Sequence, residues 1–188
     1  MKKVLIFLAA GLSRRFGKEN KLLCEVDGLP LYRHTLDKLE RLQDTSTHLL
    51  VVTNTAEIRA HCDERNLSWV ESPEAELGIA HTLRTALKHA GTAEAYVCFV
   101  ADQPKLREET IRRFLAACEG GGMGLGCVGC DGQWGNPVWF DSVYLPELMA
   151  LTGDVGGKAV LKRHPNEVFL CSADREELED VDLPIAIG

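Results

Sequence analysis

Short apolar runs alternate with segments of helical periodicity along the first two thirds of the chain. Val4–Leu8 is a continuous apolar run, which is typical of a strand that is buried on both faces. Comparable runs occur at His48–Thr53 and Ala95–Asp102, with a shorter one at Trp69–Val70. This alternation of strands and helices predicts an α/β fold with a mostly parallel central sheet and helices on both faces.

The helices between these strands are predicted from apolar residues that recur every three or four positions. One helix starts at Pro30, one follows Asn54, one spans about Gly78 to Ala90, and one is marked by Ile111 to Cys118. Asn54 is expected to cap the second of these helices, with Glu57, three residues later, completing a capping box.

The second half of the chain is less regular. Gly120–Gly132 contains seven glycines in thirteen positions, which indicates a loop. A strand is predicted at Pro137–Phe140, helices near Ser142–Leu151 and Gly157–His164, and a late strand at Glu167–Cys171. No linker composition divides the two halves, so residues 1–188 are predicted to form a single domain.

Composition and charge narrow the class of protein. The chain has 188 residues, 45% of them hydrophobic, and a formal net charge of −7. This acidic balance argues against general nucleic-acid binding, which needs a basic face. No apolar stretch approaches the roughly 20 residues of a membrane span, and no signal peptide is visible. We therefore expect a cytoplasmic protein.

The first strand opens directly into a small-residue turn that is rich in cations. The stretch LAAGLSRRFGKENKLL, Leu8–Leu23, holds two arginines and two lysines in an otherwise acidic chain. Open α/β sheets bind ligands at the carboxyl ends of their strands, and local cations there suit a small anion such as a phosphate.

Two common phosphate-binding loops do not fit this stretch. A Walker A loop needs four residues between its glycines, but five separate Gly11 from Gly17, and Glu19 stands where its hydroxyl should be. A dinucleotide fingerprint needs three glycines, and only Gly11 and Gly17 are present.

The stretch resembles the L-A-[AG]-G-x-[SG]-x-R-[MF]-G loop of a nucleotidyltransferase superfamily, and the chain is similar to its molybdenum cofactor cytidylyltransferase family. Five further segments support the resemblance in the expected order: ADQP at Ala101–Pro104, LGIAHTLRTAL at Leu77–Leu87, GNPVWF at Gly135–Phe140, LTGDVGGKAVL at Leu151–Leu161 and DVDLP at Asp180–Pro184.

The resemblance implies a three-layer Rossmann-like nucleotidyltransferase fold and one reaction. CMP passes from CTP to the terminal phosphate of molybdopterin, pyrophosphate leaves, Mg²⁺ assists, and a molybdenum hydroxylase is a possible recipient of the product. In the family, alanine at the position of Ala10 goes with cytosine and glycine with guanine. A guanylyltransferase for the same pterin, a sugar- or polyol-phosphate nucleotidyltransferase and a non-catalytic molybdopterin chaperone stay open as alternatives.

The resemblance also implies roles for single residues. Arg15 would hold the leaving pyrophosphate, Lys21 would contact the α-phosphate, and Asp102 would bind Mg²⁺. Lys18 is the alternative to Lys21, because the spacing after Gly17 differs from the usual one. The nucleotide would be bound by Ala9, Ala10, Gly11, Ser13, Gly78 and Thr82, the pterin by Asn136, and the metal also by Asp182 or its neighbour Asp180.

The seven cysteines do not indicate a zinc site. Cys127 and Cys130 form one CxxC pair, which supplies two ligands where zinc takes four. They are predicted to be loop thiols, with redox sensitivity or contact with a metal-bearing cofactor as the alternatives.

Overall fold

A computed structural model of the chain describes residues 1–11 and 20–181. Within these residues, a central sheet is built from β1 (Lys3–Ala9), β4 (Thr47–Thr53), β5 (Ser68–Val70), β6 (Ala95–Val100), β7 (Leu125–Cys130), β8 (Gln133–Asp141) and β9 (Val168–Ser172). A small antiparallel pair, β2 (Glu25–Val26) and β3 (Leu29–Pro30), precedes the first helix. The helices are α1 (Leu31–Glu40), α2 (Ala56–Glu64), α3 (Ile79–His89), α4 (Glu108–Gly121), α5 (Leu145–Met149) and α6 (Lys158–Arg163).

The sheet order is β5-β4-β1-β6-β8-β7-β9. All neighbouring pairs are parallel except those of β8, which runs antiparallel to both β6 and β7. The predicted mostly parallel sheet is therefore confirmed. The carboxyl ends of β4, β1 and β6 lie side by side at one edge, which is where a ligand is expected.

Both faces of the sheet are covered, and β1 shows why its sequence is continuously apolar. Leu5 and Phe7 pack on one face, in the core that includes α1, α2 and α4, whereas Val4 and Ile6 pack on the other, with α3, α5 and α6. All four side chains are at most 2% exposed. A strand buried on both faces has no polar alternation to display.

The glycine-rich segment Gly120–Gly132 is not the loop that its composition predicted. It contains the end of α4 and the whole of β7 rather than a loop. A Cβ on Gly126 would lie 2.7 Å from the Sγ of Cys118, so the close packing of α4 on β7 requires glycine there.

The prediction that Cys127 and Cys130 are loop thiols is corrected for the same reason, because Cys127 lies within β7. Cys127 is a fully buried core residue of β7, and burial raises the pKa of its thiol to about 12. Cys130 ends the strand and is partly exposed. Cys127 is therefore an inert hydrophobic thiol, not a loop thiol.

The predicted capping box of α2 is also wrong. Thr55 occupies the N-cap position, and no side chain caps the helix. The amide of Asn54 instead donates to the carbonyl of Ser72 and accepts from its N–H, both at 2.8 Å. In the described part of the chain, no helix has the length and apolar character that crossing a membrane requires.

Candidate active site

A cleft of about 450 Å³ lies at the carboxyl ends of β1 and β6, and we call it the main cleft. Gly11 lines it just after β1, and Ala101 and Asp102 line it just after β6. Its opposite wall is the start of α3 with the 3₁₀ turn Ala75–Leu77 before it. The cleft therefore occupies the edge at which the parallel strands end.

Lys21 and Asp102 meet in this cleft, although 81 positions separate them in the chain. The Nζ of Lys21 lies 2.9 Å from Oδ2 of Asp102. The side chains are 15% and 26% exposed, so the pair is largely shielded but open to a ligand. Two of the three residues to which we assigned catalytic roles are thus adjacent.

The segment that carries Asp102 is fixed by bonds from two other parts of the chain. Thr35 in α1 donates to the carbonyl of Gln103 at 2.9 Å, and Lys38 donates to the carbonyls of Pro104 and Leu106 at 3.1 and 2.6 Å. Burial lowers the pKa of Lys38. The N–H of Val181 donates to the carbonyl of Asp102 at 3.0 Å. The carboxylate of Asp102 is therefore presented from a rigid support.

The turn that carries Lys21 is fixed by Asn20, which the sequence analysis had passed over. Oδ1 of Asn20 accepts from the N–H of Leu22 at 3.0 Å, and Nδ2 donates to Oγ1 of Thr55 at 2.7 Å. An asparagine directly before a short helical turn is a recognisable cap signal in the sequence. Its bond to Thr55 has no local signal, because it joins distant segments.

The residues assigned to the nucleotide occupy different environments. The side chains of Ala9 and Ala10 are 1% and 4% exposed and belong to the apolar layers on opposite faces of the sheet. Gly11 lines the main cleft, as does the buried Thr82, whose hydroxyl accepts from that of Ser72 at 3.3 Å. Gly11 and Thr82 thus line the main cleft, whereas the two alanines are buried in the apolar layers.

Gly78 lines the main cleft and also has a strict packing role. Its φ is 113°, and a Cβ built there would lie 2.4 Å from the carbonyl carbon and oxygen of Gly153. The N–H of Ala80 donates to that same carbonyl at 3.2 Å. Only glycine allows the segment around Gly153 to approach α3, and this approach brings Asp154 to the cleft.

Asn136 lies outside the main cleft. It lines a second cleft of about 230 Å³, with Trp134, Lys158, Arg175 and Asp180. Gln103, the neighbour of Asp102, also lines this second cleft. Gln103 is 3% exposed and donates to the carbonyl of Leu178 at 3.0 Å, while its buried Oε1 has no hydrogen-bond partner among the described residues. The two clefts therefore flank the segment that carries Asp102 and Gln103.

Three assigned residues, Ser13, Arg15 and Asp182, lie outside the described residues, as do Arg14 and Lys18. Within the described ranges, no three metal-binding side chains converge. Carboxylates of Glu76, Asp102 and Asp154 line the main cleft. Mg²⁺ is commonly held by one or two carboxylates together with substrate phosphates, so Asp102 suits a metal that arrives with a nucleotide.

Comparisons with known proteins identify the family of the chain. The sequence profile of the MobA-like NTP transferase domain matches residues 5–168. The purine catabolism protein PucB of Bacillus subtilis is 28% identical over an alignment 202 positions long, which covers 95% of this chain and 91% of PucB.

Solved structures share the whole fold. Rv0371c of Mycobacterium tuberculosis superposes with a TM-score of 0.81 at 25% identity, over 97% of this chain and 93% of that one. A manganese complex of Rv0371c gives a TM-score of 0.73 at 22% identity, over 93% and 89% of the two chains. A nucleotidyl transferase of Methanothermobacter thermautotroptrophicus gives 0.76 at 17% identity, over 96% and 92%.

Proposed function

Since the chain belongs to the family of the MobA-like NTP transferase domain and is a nucleotidyltransferase, we propose that it transfers CMP from CTP to the terminal phosphate of molybdopterin. An oxygen of the acceptor phosphate attacks the α-phosphorus of CTP. The new P–O bond forms as the bond to the β-phosphate oxygen breaks, and pyrophosphate leaves. The reaction takes place in the cytoplasm, and a molybdenum hydroxylase is the proposed recipient of the product.

The observation that carries this proposal is the Lys21–Asp102 pair at the carboxyl edge of the sheet. Phosphoryl transfer needs two anions held in line and the charge between them neutralised. Lys21 supplies a cation for the α-phosphate oxygens, and we assign Arg15 to the leaving pyrophosphate. Gly11 leaves the backbone room to approach the phosphates, since no atom of the described residues beyond its chain neighbours lies within 4 Å of a Cβ built there.

The charge of the main cleft supports a divalent metal. Its described lining holds three carboxylates, those of Glu76, Asp102 and Asp154, and one lysine. These three carboxylates repel an entering triphosphate, and a divalent cation would offset that repulsion. Asp102 would hold Mg²⁺, with Asp182 as the second proposed ligand, and the bound ion would neutralise the phosphates. The structural neighbour Rv0371c forms a manganese complex, which supports a divalent ion in the proposed site.

The second cleft is the proposed place of the pterin. Trp134 offers a flat apolar surface, Asn136 offers an amide that can read a hydrogen-bonding edge, and Lys158 offers a cation. This cleft adjoins Asp102 through Gln103, so a molecule seated there can present its phosphate to the main cleft. Ala10 is the basis for proposing cytosine rather than guanine, as in the family.

The test is pyrophosphate release from purified protein supplied with CTP or GTP and Mg²⁺. Each nucleotide is offered with molybdopterin, with a sugar phosphate and with no acceptor. We expect release with CTP and molybdopterin together. Release with GTP and the pterin would indicate a guanylyltransferase. Release with the sugar phosphate would indicate a sugar-phosphate nucleotidyltransferase. Pterin binding without any release would indicate a chaperone and contradict catalysis.

A further inference from the structure

We propose that Asn20 is a positioning residue for Lys21 and that it acts through a hydrogen bond to Thr55. This inference rests on the proposed role of Lys21 at the α-phosphate. The comparisons and the sequence motifs leave Asn20 without a function. Its two contacts tie the lysine-bearing turn to a neighbouring strand of the sheet.

The first contact shapes the turn itself. Lys21–Leu23 is one turn of 3₁₀ helix, and Asn20 precedes it in an extended conformation with φ −83° and ψ 111°. Oδ1 of Asn20 accepts a hydrogen bond from the N–H of Leu22. The backbone carbonyl of Asn20 accepts one from the N–H of Leu23 at 2.9 Å. Leu22 is 6% exposed, so the turn is also anchored from below by a buried side chain.

The second contact ties this turn to β4. Nδ2 of Asn20 donates to Oγ1 of Thr55 at 2.7 Å, and Thr55 lies between the end of β4 and the start of α2. The hydroxyl of Thr55 does not cap α2, so the helix does not depend on it. Its carbon framework can therefore be kept while the bond to Asn20 is removed.

The sheet order explains what these contacts accomplish. β1 lies between β4 and β6. Asn20 attaches the turn on the β4 side, and the next residue, Lys21, reaches Asp102 on the β6 side. The turn thus spans the carboxyl end of β1, with its lysine directed across the cleft. Because a misplacement of about 1 Å in a catalytic group can cost about a hundredfold in rate, this attachment controls turnover.

The test removes the bond from each side separately and then from both. Asn20→Ser keeps a short acceptor for the N–H of Leu22 but does not reach Thr55, and Thr55→Val keeps the shape without the hydroxyl. We expect each variant to lower kcat about tenfold with KM for the nucleotide within about twofold. The double variant should lose no more than either single variant, because both remove the same bond.

The same substitution in the Lys21→Ala variant shows whether the effect of Asn20 depends on Lys21. Asn20→Ser should lower kcat in the parent but cause no further loss in Lys21→Ala. Equal losses in the two backgrounds would overturn the positioning role, as would normal kcat in both Asn20→Ser and Thr55→Val. Absence of turnover by the parent with every nucleotide and acceptor would instead overturn the proposed function, and this inference with it.

Asp44→Ala is the matched control. Asp44 also fixes a turn, since its Oδ1 accepts from the N–H groups of Ser46 and Thr47, both at 2.7 Å. That turn precedes β4 and lies at the opposite edge of the sheet from the main cleft. The control variant should lower Tm and leave kcat unchanged. A fall in kcat as large as that of Asn20→Ser would mean that any lost turn contact slows the enzyme, and would contradict a specific role for Asn20.

Discussion

The carboxylate of Asp102 pairs with the Lys21 ammonium, and the N–H of Val181 donates to the backbone carbonyl of the same residue. Asp102→Asn should therefore lower turnover about a hundredfold or more, because the charge that binds the metal is lost. Its effect on stability should be about 1–3 kcal/mol, because the largely shielded ion pair with Lys21 is lost. Pyrophosphate release and urea unfolding measure the two quantities, and near-normal release would contradict metal binding by Asp102.

Lys18 and Lys21 are expected to differ in their effect on turnover. Lys21 pairs with Asp102, whereas Lys18 lies outside the described residues. Lys21→Ala should lower kcat roughly a hundred- to a thousandfold with little change in KM, because the charge that it neutralises develops in the transition state. Lys18→Ala should change mainly the salt dependence of nucleotide binding. Steady-state kinetics on both variants, with folding checked by circular dichroism, decides between them. Loss of turnover in Lys18→Ala alone would reverse the assignment.

Among the secondary-structure elements, the start of α3 depends on a single glycine. Gly78→Ala places a Cβ 2.4 Å from the backbone of Gly153 at a positive φ, so it should lower the free energy of unfolding by about 2 kcal/mol or more. Gly91→Ala is the control, because its φ is 68° but no atom of the described residues beyond its chain neighbours lies within 4 Å of the new Cβ. It should cost about 1 kcal/mol. Equal losses in urea unfolding would show that the approach of Gly153 is not what requires glycine.

The start of α4 is held by Glu177. This residue is 3% exposed and accepts from the guanidinium of Arg107 at 2.6 Å and from its N–H at 3.0 Å. Burial acts to raise the pKa of Glu177, but hydrogen bonds from Arg107 and Thr110 outweigh it and lower the pKa to about 2. A lowered pKa contributes stability above the unfolded value near 4.5, and this contribution is lost as the pH falls towards 2.

We therefore expect the free energy of unfolding to fall by about 3 kcal/mol between pH 5 and pH 2 on account of Glu177. Glu177→Gln should show a shallower fall, measured by urea unfolding at several pH values. Glu179→Gln is the control, because its carboxylate is 54% exposed and pairs with Lys105 at the surface. Parallel curves for the parent and Glu177→Gln would contradict this account.

For the whole molecule, a ligand that binds only the folded state raises its stability, by about 2.7 kcal/mol at a hundredfold excess over Kd. CTP with Mg²⁺ should therefore raise Tm more than GTP with Mg²⁺. Ala10→Gly should reduce that difference, because Ala10 is the residue on which the choice of cytosine rests. A thermal-shift panel of nucleotides measures this, and a larger shift with GTP in the parent would reverse the choice of base.

The sequence by itself determined the parallel core and its working edge. The strands β1, β4 and β6 can be predicted because strands buried on both faces must be apolar throughout. The helices α3 and α4 can be predicted because each buries one apolar face, which gives a helical period in the sequence. Asp102 and the small-residue turn were recognisable for a local reason as well. Polar residues that directly follow buried strands lie at the edge where such sheets bind ligands.

The tertiary structure decided which of these residues meet. β7 was missed because its segment is rich in glycine. These glycines are required by close packing against α4 and β8, not by the local backbone conformation. Asn54 bonds Ser72 instead of capping α2, and Asn136 faces a separate cleft. Asn20 and Lys21 join β4 and β6 across β1. Such contacts depend on strand order and packing distance, which neighbouring residues in a sequence do not encode.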